Sequence, residues 1–514
     1  SNTKQINGTA NMVTLYNKIP YFKTLNTKKP EPNNKKNNVN IENDTIPPPP
    51  VNYPKVIAEG LLKAIMGVKN ATVSYSEGNG TLLPGYKPST VALGQDWNLM
   101  APGTDFVFGG QRDIRGDAVF NGWLSTDTML NNPYATKHTE NLTARATAEP
   151  LPNFKIEVTA NRNFSKNHSE YFKADANGDF KTYSPMETGS FSISYFTWNT
   201  AWVNDNKTTY SNQNFENFKA YRYDIAMRLS EANPNSAGVI DSTGFPVGYG
   251  PTSQEVLIPA FLAAYTGKNP NTMSLDIFPK IPKPNWRITY DGLSKLAFVK
   301  KYLKTLTIGH AYRSSYNVGA YVTNVLYQQD QDGFEMTRDM IGNFIPKRDI
   351  NQVSITEQFS PLINFDMVWN NSLLSKFEYK KSRDLSLSLA NTQLTEISSN
   401  EIIIGLGYRI KNVVINIKSI NGGRKSKLKS DLTLKADVSI RTNKTVLRKV
   451  VENIDQISTG QQIISINVSG DYKLSERFNI RLFYDEIITN PFVSSQYPNS
   501  NINAGISLRF TLAQ

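Results

Sequence analysis

The residues best able to do chemistry are three histidines and a scatter of carboxylates. His138, His168 and His310 stand far apart in sequence. Zinc sites usually announce themselves by ligands paired a few residues apart, so each histidine reads as a solitary strand or loop residue. The chain has no cysteine, which removes disulfides and thiolate metal sites without fixing a compartment. There is no Gly-x-Ser-x-Gly elbow, and no glycine-rich loop ending in Lys-Ser or Lys-Thr to cradle a phosphate. Asp175-Ala176-Asn177-Gly178-Asp179 opens like a calcium loop, but its sixth position is Phe180 and its twelfth is Met186. The sharp turn and the bidentate ligand are both lost, and a plain polar turn is expected. Asp330-Gln331-Asp332-Gly333 fits a metal loop less well still. Carboxylates are plentiful, but none stands in an apolar setting that would raise its pKa for acid–base work. No catalytic, cofactor-binding or metal site is expected, and the chain is not expected to be an enzyme.

Composition turns attention to the elements. Of 514 residues, 39% are hydrophobic, yet 25 Tyr and 25 Phe bring aromatics to 11%. Half-exposed strands with Tyr and Phe at interfaces have this mixture. A soluble α/β enzyme would need continuous Val/Ile/Leu strands. No run of about 18 apolar residues is present, so no transmembrane helix is expected. A membrane home would require a closed barrel, because lipid cannot satisfy the edge of an open sheet. The formal net charge is +12. It is dispersed, with no basic stripe interleaved with stacking aromatics, which argues against nucleic acid. A solvated basic surface is the plain reading, and contact with anionic head groups or an acidic client the sharper one. Ser1-Asn2-Thr3-Lys4-Gln5 has neither an initiator Met nor a signal peptide, as expected of a processed or fragmentary product.

Residues 1–53 read as a flexible tether rich in Lys, Asn and Pro. The stretch from Lys28 to Lys36 and the four prolines Pro47–Pro50 cannot bury enough apolar area to order themselves. From about residue 54 to 514 strand signals accumulate. Phe154, Ile156, Val158 and Ala160 alternate with Lys155, Glu157, Thr159 and Asn161. Leu432, Leu434, Ala436, Val438 and Ile440 alternate with polar residues, as do Phe478, Ile480, Leu482 and Tyr484, and Ile502 to Leu512. A period of two puts the apolar set on one face. The segments 352–370, 377–389 and 401–417 exceed the roughly 9–11 residues a tilted membrane strand needs. Insertions at about 83–130 and 203–284 break the pattern. The second holds two helical windows, 215–231 and 254–265, and is expected to be an ordered cap outside the membrane. Residues 333–348 form a shorter loop. The expected fold is all-β: antiparallel transmembrane barrel strands, part of a very large barrel, with insertions containing short helices. Tyr195, Phe196, Trp198 and Trp202, and separately Phe365 and Trp369, suit an interfacial girdle; ordinary core packing is the alternative.

Several phrases carry a family resemblance. They are Pro284-Asn285-Trp286-Arg287-Ile288-Thr289-Tyr290-Asp291-Gly292-Leu293-Ser294-Lys295, the strand from Thr307 to Gly319 containing His310-Ala311-Tyr312-Arg313, Pro102-Gly103-Thr104-Asp105-Phe106-Val107-Phe108-Gly109-Gly110-Gln111, and the last strand pair. From about residue 10 onward the chain resembles the C-terminal portion of the SprA (Sov) family. The resemblance implies the outer-membrane translocon of the type IX secretion system in Bacteroidetes, which exports folded cargo and supports gliding motility. It implies as partners the upstream remainder of the same barrel, a PorV-type outer-membrane barrel, a periplasmic plug protein, secreted cargo and outer-membrane lipid. A self-contained porin or TonB-dependent-type transporter is one alternative. A surface β-rich adhesion protein is another; it would show sandwich domains with turns every 8–12 residues.

Overall fold

A computed structural model describes residues 1–27, 66–236, 238–417, 426–474, 478–493 and 496–511. The alternating segments become strands of one antiparallel sheet, and the fold is all-β. The strands are β1 (Asn2–Asn11), β2 (Val68–Leu82), β3 (Tyr134–Leu151), β4 (Phe154–Ala174), β5 (Phe180–Ser194), β6 (Asn285–Tyr290), β7 (Leu303–Thr323), β8 (Arg348–Ile350), β9 (Gln352–Trp369), β10 (Leu373–Ser388), β11 (Gln393–Ile417), β12 (Ser426–Lys449), β13 (Ile454–Lys473), β14 (Phe478–Pro491) and β15 (Asn499–Phe510). The path is β1-β2-β3-β4-β5-β7-β9-β10-β11-β12-β13-β14-β15, and β8 adds to β7. Among the described residues neither β1 nor β15 has a second neighbour, so the sheet is open at both ends.

β5 and β6 share one place in the sheet. β5 lies between β4 and β7 at one end, with Arg162↔Ile193 and Ile193↔Tyr316 as partners. β6 lies between the same two strands at the other end, with Val158↔Trp286 and Trp286↔Tyr312. The chain between them leaves the sheet halfway along and returns to complete the same position. This excursion carries the two long helices, which span the windows expected from sequence and run one or two residues past them. The helices, in chain order, are α1 (Met12–Tyr16), α2 (Pro20–Thr27), α3 (Thr104–Val107), α4 (Arg115–Phe120), α5 (Gln213–Ala232), α6 (Gln254–Thr266) and α7 (Ala297–Lys300). Asn212 caps α5 by accepting the Asn214 N–H. Gly267, at φ 68°, closes α6 in the left-handed conformation that a residue without Cβ adopts freely. From Val256 to Thr266 every residue of α6 is buried. A helix apolar all round belongs inside a core, and α6 lies in one that includes Phe215, Phe218, Phe191, Tyr316, Ile355, Leu385 and Leu394.

The start of the chain departs from the expected tether. Asn2–Asn11 pairs with β2 from Asn2↔Asn79 to Asn11↔Asn70. Its alternation involves small polar residues with little apolar phase to reveal it. The Lys/Asn/Pro-rich stretch from residue 28 onward, and Leu512, lie outside the described residues. The 83–130 insertion holds α3 and α4, and a small core of Ala101, Ala118, Trp123 and Leu124 seats it against Phe172 and Phe180.

Candidate functional site

The candidate site is the sheet itself, because its two faces differ in chemistry over their whole breadth. Register fixes which residues share a face. Phe365, Phe377, Ile404, Val438 and Ile466 are successive partners across β9 to β13. Leu406, Ala436, Val468, Tyr484 and Ala504 continue the face to β15. At the other side, Ala10, Ala71, Ala146, Val158, Trp286 and Tyr312 follow one another. Among the described residues, none covers much of this face: Ile404 is 51% exposed and Ile506 67%. An uncovered apolar face this wide marks contact with a membrane or a partner. Glu486 interrupts it on β14, where it accepts hydrogen bonds from Tyr484 Oη (2.9 Å) and Ser500 Oγ (3.1 Å).

The opposite face is polar. Gln5, Ser76, Asn141, Asn163, Ser192, Asn317, Ser354, Ser386 and Thr395 are successive partners across nine strands of the path. Further along, the polar face carries charge. Arg409, Lys429, Lys473 and Arg509, with Asp431 and Asp471, line a cavity of ≈ 730 Å³.

The apolar belt crosses the strands obliquely. On β3 it runs from Leu142 to Ala148, below Glu140; on β11 it runs from Ile402 to Ile410, below Asn400. Partners traced from Leu142 pass through Arg162, Ile193, Tyr316, Ile355 and Leu385 to Glu396. Glu396 lies six residues before Ile402, so the belt slips six residues in six strand-to-strand steps. One residue of slip (about 3.3 Å) per strand spacing (about 4.8 Å) corresponds to a tilt of roughly 35°. Along β11 the belt measures about 27 Å, at about 3.4 Å per residue.

Beyond the belt the same face carries the helical excursion, held there by buried charge. Arg448, with a side chain 0% exposed, places Nη2 2.7 Å from Asp205 Oδ1 and 2.9 Å from Glu396 Oε2. Its Nη1 donates to the Tyr210 carbonyl at 2.6 Å. Lys444 also pairs with Asp205. Burial by itself pushes the Asp205 carboxyl up; the Lys444 hydrogen bond, Arg448 and Asn212 outweigh it and hold it below the usual aspartate range. A second network fixes the root of the excursion. Arg383 Nη2 lies 2.9 Å from Glu357 Oε2, its Nη1 donates to the Thr200 carbonyl at 2.9 Å, and Tyr312 Oη donates to Glu357 Oε1 at 3.1 Å. The 324–347 loop closes over the excursion through Phe344, packed with Tyr249 and Val256. There Tyr249 Oη donates to Glu335 Oε2 at 3.2 Å. Burial and the neighbouring Glu335 push the Glu255 carboxyl well above the ordinary glutamate range.

The aromatic residues singled out from the sequence fall in three places. Tyr195 is buried against Tyr316 in the core beneath the helices, so for it core packing is correct. Phe196, Trp198 and Trp202 join Trp286, Tyr312 and Phe359 in one ring cluster; Trp286–Tyr312 centroids are 4.6 Å apart and Trp198–Phe359 5.0 Å. The cluster sits where belt gives way to excursion, with Lys381 Nζ 4.9 Å from the Trp202 centroid. Phe365 faces Phe377, and Trp369 Nε1 donates to Ser375 Oγ at 2.7 Å near the far end of the belt.

Register brings His138 and His168 to one face of paired strands, two residues out of step, but they hold separate partners: His138 contacts Glu140 and Asn79, His168 contacts Glu170, and His310 Nδ1 meets the Leu362 carbonyl. Asp175 accepts the N–H groups of Asn177 and Asp179 and pairs with Lys181, as a polar turn does. Among the described residues no group of three or more His, Asp or Glu is arranged to hold a metal. No helix among them is long and apolar enough to cross a membrane, which leaves strand crossing open. The Glu357, Arg383, Glu396 and Arg448 network escaped the sequence reading. Its signal was present, since each charge occupies the apolar phase of its strand.

Comparison with known protein families and with curated proteins finds no match.

Proposed function

We propose that this chain is a section of wall of an outer-membrane β-barrel that conducts protein, as the resemblance to the SprA family of type IX translocons implies. The observation that carries the reading is the oblique apolar belt. A soluble sheet buries its apolar face against a second layer. Here the face stays open over most of its breadth, with a height near the roughly 25 Å band of outer-membrane barrels and a slip matching their 35–45° strand tilt. The polar face then lines water, and the ring cluster at the belt's upper margin anchors the wall at head-group level. The helical excursion stands above the membrane as a collar on the outer wall. Thirteen strand positions on one path would close to a backbone radius of only about 13 Å at that tilt, too narrow for folded cargo. The reading therefore requires further strands beyond β1 and β15. PorV-type, plug and cargo partners would meet the completed pore.

Nitroxide labels along β11 test the lipid and water faces. Labels at Ile402, Ile404 and Leu406 should relax with oxygen, and labels at Ile403, Gly405 and Gly407 with an aqueous nickel chelate, alternating residue by residue. Equal nickel access at all six positions would contradict a membrane wall.

A further inference from the structure

The polar face carries more information than its polarity. The row from Gln5 to Thr395 places one Ser, Asn, Gln or Thr on each of nine strands and no charge. The rows beside it repeat the chemistry on β1 to β4; on β10 one of them carries Asp384, two residues from Ser386 and the partner of Thr356 and Ile397. Asn7, Ser74, Thr143 and Asn161 are partners on one side; Thr3, Gly78, Thr139, Ser165 and Ser190 on the other. Many of these side chains already satisfy each other across strands. Ser192 Oγ donates to Asn317 Oδ1 and Ser74 Oγ to Asn7 Oδ1, both at 2.7 Å. The contrast lies in the same sheet. On β14 and β15, Ser507 is the partner of Arg481 and stands two residues from Arg509.

We propose that this tract is an electrically neutral lining for passing polypeptide, built so that clients of either charge sign move along it without being held or refused. The proposal rests on the pore reading above and adds what the pore wall is made for. A folded protein presents charges of both signs. Each would be drawn to or repelled by a bare wall charge even in water, and more strongly where water is thinned, so a charged tract would sort clients by sign. Small neutral polar groups exchange hydrogen bonds with water at little net cost and hold a water film between wall and client. A wall that gripped polysaccharide would offer aromatic platforms for sugar rings, and this row has none.

The absence of native cysteine makes the test direct. Asn141→Cys, Ser192→Cys, Ser354→Cys and Ser507→Cys are introduced singly into the full-length protein in its membrane. Each is reacted with a cationic and an anionic methanethiosulfonate, and the rate ratio is normalised to that of a small free thiol. The neutral lining predicts ratios within about threefold of the free thiol at positions 141, 192 and 354, and severalfold preference for the anionic reagent at 507. A preference of about tenfold or more for either sign at all three lining positions would overturn the lining and leave the pore reading standing. No reaction at any of the four positions would mean the face is not water-filled, and both would fall.

Discussion

Among the strand residues charged where their phase calls for an apolar side chain are Glu357 beside Val353 and Ile355, Arg383 beside Leu385 and Leu387, Glu396 beside Leu394, and Arg448 beside Val446 and Val450. An ion in such a place has to be met by another, and the partners come from one another, from neighbouring strands and from the excursion at Asp205, Thr200 and Tyr210. Arg448→Met should cost about 3–5 kcal/mol by leaving Glu396 buried without its cation and Asp205 with Lys444 alone. The loss should appear as protease access to residues 203–284 while the strands remain assembled. Wild-type protection would count against the anchor. On the open part of the apolar face the rule reverses, and a new cation has no partner. Ile506→Arg should impair membrane assembly, since a cation toward lipid costs about 2–4 kcal/mol at the midplane, whereas Ser507→Arg on the polar face should assemble. Equal yields of both in the membrane fraction would reverse the assignment of faces.

At the level of elements, the long strands were legible because apolar and polar residues largely alternate in them, and α6 because Val256, Leu257, Ala260, Phe261 and Ala264 fall near helical spacing. β1 was not legible. Asn, Thr and Gly on both faces leave no phase, and only pairing with β2 makes a strand of them. Nor did sequence reveal that β5 and β6 share one position, since the join is made through β4 and β7 and spans the whole excursion. The candidate surface was half legible. The apolar set on each strand could be read directly, but the oblique belt needs the register between strands. The collar's closing loop has a proton-dependent contact. Glu255 is raised above the ordinary glutamate value of 4.5 by burial and by Glu335. A carboxyl with a raised folded-state pKa adds stability that is fully present below its unfolded value and lost as pH rises through the folded one. Hydrogen exchange in the 324–347 loop should therefore quicken as pH rises, after correction for intrinsic exchange, and Glu255→Gln should flatten that response. A wild-type loop with no excess pH dependence would contradict the raised Glu255 carboxyl.

For the whole molecule, the open ends of the sheet decide between the proposed wall and a self-contained porin or transporter barrel. A barrel that closes within these residues would hydrogen-bond β1 to β15, and among the described residues the two lie at opposite ends of the path. Unpaired edges in lipid cost several kcal/mol per orphaned backbone group, so the proposed wall needs further strands to cover them. An adhesion protein made of sandwiches would bury the face that here stays open from β9 to β15. The measurement that bears most directly on the wall is a cysteine cross-link between those edges in the native membrane. Asn7→Cys on β1 is combined in turn with a cysteine at each position of β15 from Asn499 to Phe510, and treated with a cross-linker about as long as one strand spacing, near 5 Å. The wall predicts no cross-link within the chain at any of these positions. Efficient cross-linking at one register, fading to either side of it, would mean that the chain closes on itself as a small barrel and is no section of a larger wall.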